Sequence, residues 1–464
     1  MRARAVTGFV FIMMLIAAAC GDARGNPSPT DAVEPTPRSI STLALPVTTA
    51  TEGLTYEGDL RVGVWARVEG TGDCLNFRFS DSTGARNPIN YCRPDGYEVY
   101  VVGGPRFNGD QWSWEIAGHG WAADDFLAFD REEDLETRVI SGFAGLGKIA
   151  YIGPQGDLWV MHADGSNREK IVDIDPGVGP RYSPQIGNPK WSPDGTEILV
   201  TFSMADEIGN WSTDLRVISL RGSTINEISS AASGSWSPDG GHVAFLHDFS
   251  DAGAGVVHAT PAVYDLTTGV TTEIGPEGSY LEGPKWRSND QLLYQGEEGA
   301  HLVTADGVEV QMLDAVGMPA NWSPDGTRLS FLSHALDCDG YVVYDVRMKS
   351  IELCALQPAL DTNRGGRGGT AEDGQTDWSP DGRYFAYHTE WAVVDRSGVY
   401  VVDVHTGEQT LLQGWKPLLV SFAKDSRHLV FQTWHLGEPF IWVGDAENGD
   451  VTLLAEGSQP AWQP

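Results

Sequence analysis

The sequence predicts an all-β protein in two parts, a small barrel followed by a ring of β-sheet blades, and three observations carry that prediction. The first is a five-residue phrase, Trp-Ser-Pro-Asp-Gly, that begins at Trp191, Trp236, Trp322 and Trp378. With decayed copies at Trp286 and Phe422 and a last Trp462, the intervals are 45, 50, 36, 56, 44 and 40 residues, the length of one four-stranded propeller blade. The second is alternation of apolar and polar residues in short runs, both inside these intervals and in a separate region upstream. The third is the 55 Gly and 26 Pro among 464 residues, which supply the turns that many short strands need. A hydrophobic share of 41% with 16 Trp is enough to build real cores and excludes a disordered acidic tail. A formal net charge of -33 excludes a nucleic-acid backbone as partner.

The N-terminus reads as an export signal. Arg2 and Arg4 precede an apolar run from Val6 to Ala19 that is too short to span a bilayer and ends in small residues. Ala17-Ala18-Ala19-Cys20 resembles a bacterial lipobox, with Ala where Leu is commoner three positions before the Cys. The resemblance implies cleavage after residue 19, acylation of Cys20 and attachment to the bacterial cell membrane, facing periplasm or cell exterior. It also accounts for the odd total of five Cys. Residues 20–55 hold the lipidated Cys and a Pro/Ser/Thr-rich stretch that cannot bury enough apolar surface to offset ordering entropy, and they read as a tether.

Residues 56–130 contain LRVGVWARV, CLNFRF, YEVYVVGG, QWSWEIA and GWAADDFLAF, separated by Gly and Asn turns: about five strands in a barrel-like unit. Five pieces in order, Gly72 to Arg78, Asp95-Gly96-Tyr97, Gly103-Gly104-Pro105, Trp112 with Trp114, and Gly118-His119-Gly120-Trp121 through Phe126-Leu127, resemble the bacterial SH3-like (SH3b) family. The resemblance implies recognition of cell-wall peptides or an adhesive role. Trp112 and Trp114 share a strand face, and with Tyr97 and Trp121 they are a candidate ligand groove, core packing being the competing reading. His119, between two glycines, reads as a solvated turn residue. Cys74 and Cys92 flank a hairpin in an oxidising compartment and are expected to form a disulfide.

Residues 131–145 read as a linker and 146–464 as the repeat array. Each phrase is followed by two apolar strands, such as ILVTF with LRVISL and VAFLH with AVYDL. The array opens on a strand pair with no lead strand and ends on a surplus strand around Gln459 to Trp462. A ring that combines the two termini in one shared blade hides its open edges and gives seven blades, with six as the alternative count. The phrase itself has a structural logic: Pro and Asp-Gly make a tight turn, Ser and Asp tie it, and Trp packs between blades. The array resembles the TolB-like (PD40) propeller family, whose members range from periplasmic scaffolds to the lids of peptidases. No GxSxG elbow occurs, so a peptidase of that type is not expected.

Cys338 and Cys354 bracket a hairpin of one blade and are expected to form a second disulfide. Arg364 and Arg367 lie in a Gly-rich insertion within the 56-residue interval and are a candidate docking loop for an anionic group, plain surface being the alternative. The acidic stretches at Asp124-Asp125, Asp130 to Asp134 and Asp337 to Asp339 leave calcium open, although none follows an ordered calcium-loop pattern. No catalytic, cofactor or metal residue is otherwise expected. The whole reads as a noncatalytic envelope lipoprotein whose SH3-like module contacts peptidoglycan or a peptide and whose propeller contacts a protein. The alternative is an enzyme or carbohydrate-binding protein with its site in the propeller channel.

Overall fold

A computed structural model of the chain describes residues 56–78, 89–174, 184–205, 211–251, 257–279, 282–296, 299–313, 320–335, 338–356, 376–389, 398–413, 417–435 and 438–464. Cys20 with the leader and the whole tether, and Arg364 and Arg367, lie outside these residues.

The small domain is one curled seven-stranded sheet: β1 (Trp65–Val68), β2 (Cys74–Arg78), β3 (Ile89–Pro94), β4 (Glu98–Phe107), β5 (Trp112–Ile116), β6 (Gly120–Ala123) and β7 (Leu127–Arg131), in the order β3-β2-β6-β5-β4-β1-β7. Period-two alternation sends Ala66, Val68, Leu75, Phe77, Val99, Val101, Trp114 and Ile116 to one interior. Cys74 and Cys92 are joined.

The remainder is a seven-bladed propeller. Blade one consists of Lys148–Ile152, Leu158–His162 and Glu169–Val172, completed by Ser458–Trp462 from the C-terminal end. Trp462 pairs with Ile149 and Ala461 with Ala150, so one blade draws strands from both ends of the array, as the offset in the repeat predicts. Blades two to seven begin with the innermost strands Gln185–Trp191, Ala231–Trp236, Lys285–Ser288, Ala320–Trp322, Thr376–Trp378 and Pro417–Phe422. The phrase Trp packs across the seam between blades: Trp191 joins Ile152 and Leu158 of blade one to Ile198 and Val200 of its own blade, and Trp378 joins Tyr341 and Val343 to Phe385 and Tyr387. Such a side chain, fully buried, contributes about 1.5–3 kcal/mol. Cys338 and Cys354 are joined within blade five.

The two parts share a core. Trp65, Ala117 and Leu135 belong to the same buried cluster as Phe440, Trp442 and Leu453 of blade seven. Gly118 makes the contact close, since a Cβ there would lie 2.5 Å from Trp442 Cζ2, and its φ of +62° is one that glycine tolerates. The reading of His119 as a solvated turn residue is corrected: it is 1% exposed, with its ring 5.2 Å from Trp442 and 5.1 Å from Phe77. Its burial comes from a blade more than 300 residues away in the chain, which local sequence does not show. Residues 131–145 form a strap across the propeller. Arg138 stacks 3.7 Å over Trp65, Ile140 N donates to Asp164 O, and two 3-10 turns, Leu135–Thr137 and Ser141–Phe143, occupy the stretch.

Candidate functional site

The recurring phrase is consumed by structure. The hydroxyls of Ser192, Ser237, Ser323 and Ser379 donate to the Asp two residues on at 2.6–2.7 Å and accept a backbone N–H five residues on at 2.8–3.0 Å. The Ser hydroxyl and backbone N–H groups hold the Asp194 and Asp239 carboxyls below the ordinary carboxylate range. The Gly of each phrase sits at φ between +65° and +73°.

The residue immediately before each phrase is different. Because side chains alternate along a strand, this position faces away from the seam that its Trp fills. Successive innermost strands touch around the axis, so the seven positions form a belt: Lys190, Ser235, Lys285, Asn321, Asp377, Ser421 and Ala461, each half-buried. Sequence reasoning missed this belt. Aligning the phrases and reading one column to the left would have found it.

The belt stitches each blade to the next. Lys190 Nζ donates to Gly234 O at 2.7 Å and Ser235 Oγ to Pro284 O at 2.6 Å. Asn321 Nδ2 donates to Thr376 O at 2.5 Å, Asp377 Oδ2 accepts from Phe422 N at 3.0 Å, and Ser421 Oγ accepts from Trp462 N at 3.0 Å. The belt carbonyls receive indoles from the following blade: Trp191, Trp236, Trp286 and Trp378 donate to Ala461, Lys190, Ser235 and Asn321 at 3.0–3.3 Å. Two side chains are exceptions: Lys285 turns back to pair with Glu282 in its own blade, and the Ala461 methyl has no hydrogen-bonding group.

Charge in this belt is costly. Burial, then the neighbouring charge of Lys285, pushes the Lys190 ammonium down to about 7, with Glu282 pulling the other way. Burial pushes the Asp377 carboxyl up to about 6 against the N–H groups of Phe422 and Trp378 and the charge of Lys285. Lys190 keeps some surface at the axis while lying deep within the ring, which is why a partly exposed ammonium is still strongly desolvated.

The four aromatic residues singled out in the small domain do not line one groove. Trp114 is in the core at 1% exposure, its Nε1 donating to Asp124 Oδ1 at 2.7 Å. Trp121 pairs across from Glu115, on the opposite sheet face from Trp114, and is capped by Arg106 at 5.0 Å. Tyr97 packs beside His119 where the domain meets blade seven. Trp112 keeps a half-buried position of its own, framed by Tyr56 at 5.7 Å and Phe107 at 5.3 Å. Tyr56 fixes this shelf through a 2.7 Å bond from its hydroxyl to Asp124. Of the acidic stretches, Asp124 is taken by these two donors and Asp130 by Arg67 and Arg131. Among the described residues no group of three or more His, Cys, Asp or Glu could hold a metal ion.

No family model matches the chain, and no curated protein matches it. Solved structures that it resembles include TolB from Acinetobacter baumannii, at 16% identity over 79% of this chain and 83% of that one, with a TM-score of 0.40. Oligogalacturonate lyase from Vibrio parahaemolyticus aligns at 12% identity over 62% and 83%, TM-score 0.42. The β-propeller domain of the Trilobed protease from Pyrococcus furiosus aligns at 14% identity over 59% and 83%, TM-score 0.39.

Proposed function

We propose that this chain is an exported lipoprotein of the bacterial envelope, anchored through Cys20, in which the small domain and the propeller act as one noncatalytic binding body. The observation that carries this reading is the shared core of Trp65, Ala117 and Leu135 with Phe440 and Trp442. An interface of this apolar kind holds the domain in a fixed pose on blade seven and leaves the Trp112 shelf outside it. The shelf offers flat aromatic surface beside Asn108 and Gln111, a composition suited to stacking on sugar faces or peptide planes of cell-wall material. The sequence resemblance to SH3-like modules supports the same assignment. Rigid blades then present the propeller rim to a protein partner.

Cosedimentation of full-length protein in detergent with purified murein sacculi tests the wall contact. Pelleting of the wild type, with Trp112→Ala bound about fivefold less tightly, is the expected result for one stacked aromatic lost. Equal pelleting of both proteins, or of neither, overturns it. For the anchor, Cys20→Ser should move the protein from the membrane fraction to the soluble one, and retention on membranes after a carbonate wash refutes acylation at that position.

A further inference from the structure

A stitch between blades needs only a short neutral donor or acceptor, as Ser235, Asn321 and Ser421 show. Blade two makes the same stitch with a lysine. Lys190 gives one N–H to Gly234 O at 2.7 Å and has no carboxylate at ion-pair distance among the described residues. The ammonium of Lys285 acts against its charge more strongly than Glu282 acts for it, and Glu282 is itself taken by Lys285. Burial with no counter-ion and a second cation in the belt favours the uncharged amine at neutral pH. Such an amine has a lone pair that the stitch does not use. Lys190 is half-buried and so not sealed, and the belt residues of the blades on either side of it are short, Ala461 and Ser235. Desolvation, a neighbouring cation and an open approach are the conditions that turn a lysine into a nucleophile.

We infer that Lys190 is a modification site of the channel, acylated by small activated acyl donors such as acyl phosphates and thioesters. The Nζ lone pair attacks the acyl carbon and forms the N–C bond. The bond from that carbon to phosphate or thiolate breaks, its electron pair leaves with that group, and the amine proton passes to water. The resulting amide suits the belt better than the ammonium does: it is uncharged at every pH, and its one N–H can keep the bond to Gly234 O. Condensation with an aldehyde does not share this advantage, because a neutral imine nitrogen carries no hydrogen and leaves a buried carbonyl unbonded. The site is independent of the Trp112 shelf and of the wall contact.

Limited acetylation of the folded full-length protein in detergent at pH 7, with N-hydroxysuccinimidyl acetate and separately with acetyl phosphate, decides the matter when the sites are mapped by mass spectrometry. With either reagent Lys190 should react about tenfold faster than the exposed Lys349 and Lys424. Its rate should fall to half of its plateau near pH 7, where the folded amine takes up its proton. In urea the preference should vanish, since it arises from the closed ring and not from Pro189 and Trp191 beside it in the chain. The inference is overturned if Lys190 stays unmodified by either reagent while Lys349 and Lys424 react, or if all of them react at equal rates in the folded protein. A preference that persists in urea, or a Lys190 rate that still climbs about tenfold from pH 8 to pH 9, overturns it as well.

Discussion

Replacing Lys190 by Met should make the protein more stable at mildly acid pH, and the size of the gain follows from the belt. Burial and Lys285 drive the ammonium from the ordinary 10.5 to about 7. At about 1.4 kcal/mol for each tenfold change in acidity, that displacement corresponds to at most about 5 kcal/mol against the charged side chain. Two effects reduce it. Met leaves Gly234 O without its 2.7 Å donor, at about 1–3 kcal/mol for a buried acceptor, and the part of Lys190 that meets the channel is screened by solvent. A net gain of about 2 kcal/mol at pH 6 remains. The sign reverses with pH. An unfolded lysine keeps its proton to about pH 10.4, whereas the folded one loses it near 7. Across that window the unfolded chain binds more protons, so wild-type stability should rise with pH and the Met variant should not share the rise. Thermal melts of both proteins at pH 6, 8 and 10 test this. A Met variant that melts at or below the wild type at pH 6, or a difference that does not change with pH, refutes the argument.

Other outcomes follow from the same structure. Deleting residues 456–464 removes the innermost strand of blade one and the Trp462 indole bond to Leu146 O; the melting temperature should fall sharply, since loss of one buried Trp alone costs about 3–5 kcal/mol, and an unchanged midpoint would mean that the ring is closed some other way. Gly118→Val puts a β-branched residue at positive φ against Trp442 and should cost about 3 kcal/mol; limited proteolysis should then cut within residues 131–145 faster than in the wild type, and equal rates in the two proteins would contradict the docked pose. The carboxyls of Asp403 and Asp445 are held below the ordinary range: burial opposes this, but bonds from Arg383 and Arg427 and from nearby backbone N–H groups prevail. Their contribution is present above the unfolded value of about 3.9 and is lost as pH falls through the folded one. Because both Arg are about half exposed, solvent screening keeps each pair's contribution small, seen as a slightly shallower acid melting curve for Asp445→Asn than for the wild type.

What was legible in the sequence is what is local. The Ser-Asp-Gly turn closes within six residues, so Ser192 to Glu197 announces itself wherever it occurs, and the interval between copies sets the blade size. The shared blade was legible for the same reason, because a missing lead strand and a surplus one can be counted. His119 was not, since Trp442 buries it from a blade far along the chain, and Tyr97 packs beside it. The belt was missed for a different reason, since its column can be read off the aligned phrases but the meeting of its members cannot. Lys190, Glu282, Lys285 and Asp377 are unremarkable one at a time, and only the geometry of a closed ring brings residues from blades two, four and six around one axis.

The strap at residues 131–145 has a mechanical consequence. The chain enters the propeller at Lys148, on the strand that pairs with the C-terminal Ser458–Trp462, so this seam is where a pull from the N-terminal side would otherwise begin to peel the ring apart. Docking on blade seven changes the loading. A force applied from the N-terminal side meets Trp65 and Leu135 seated against Phe440 and Trp442 before it reaches Lys148, and it is spread in shear over that apolar contact and over the bond between Ile140 and Asp164. The small domain thereby acts as a strain relief for the joint beside it, whatever pulls on the chain from its N-terminal side.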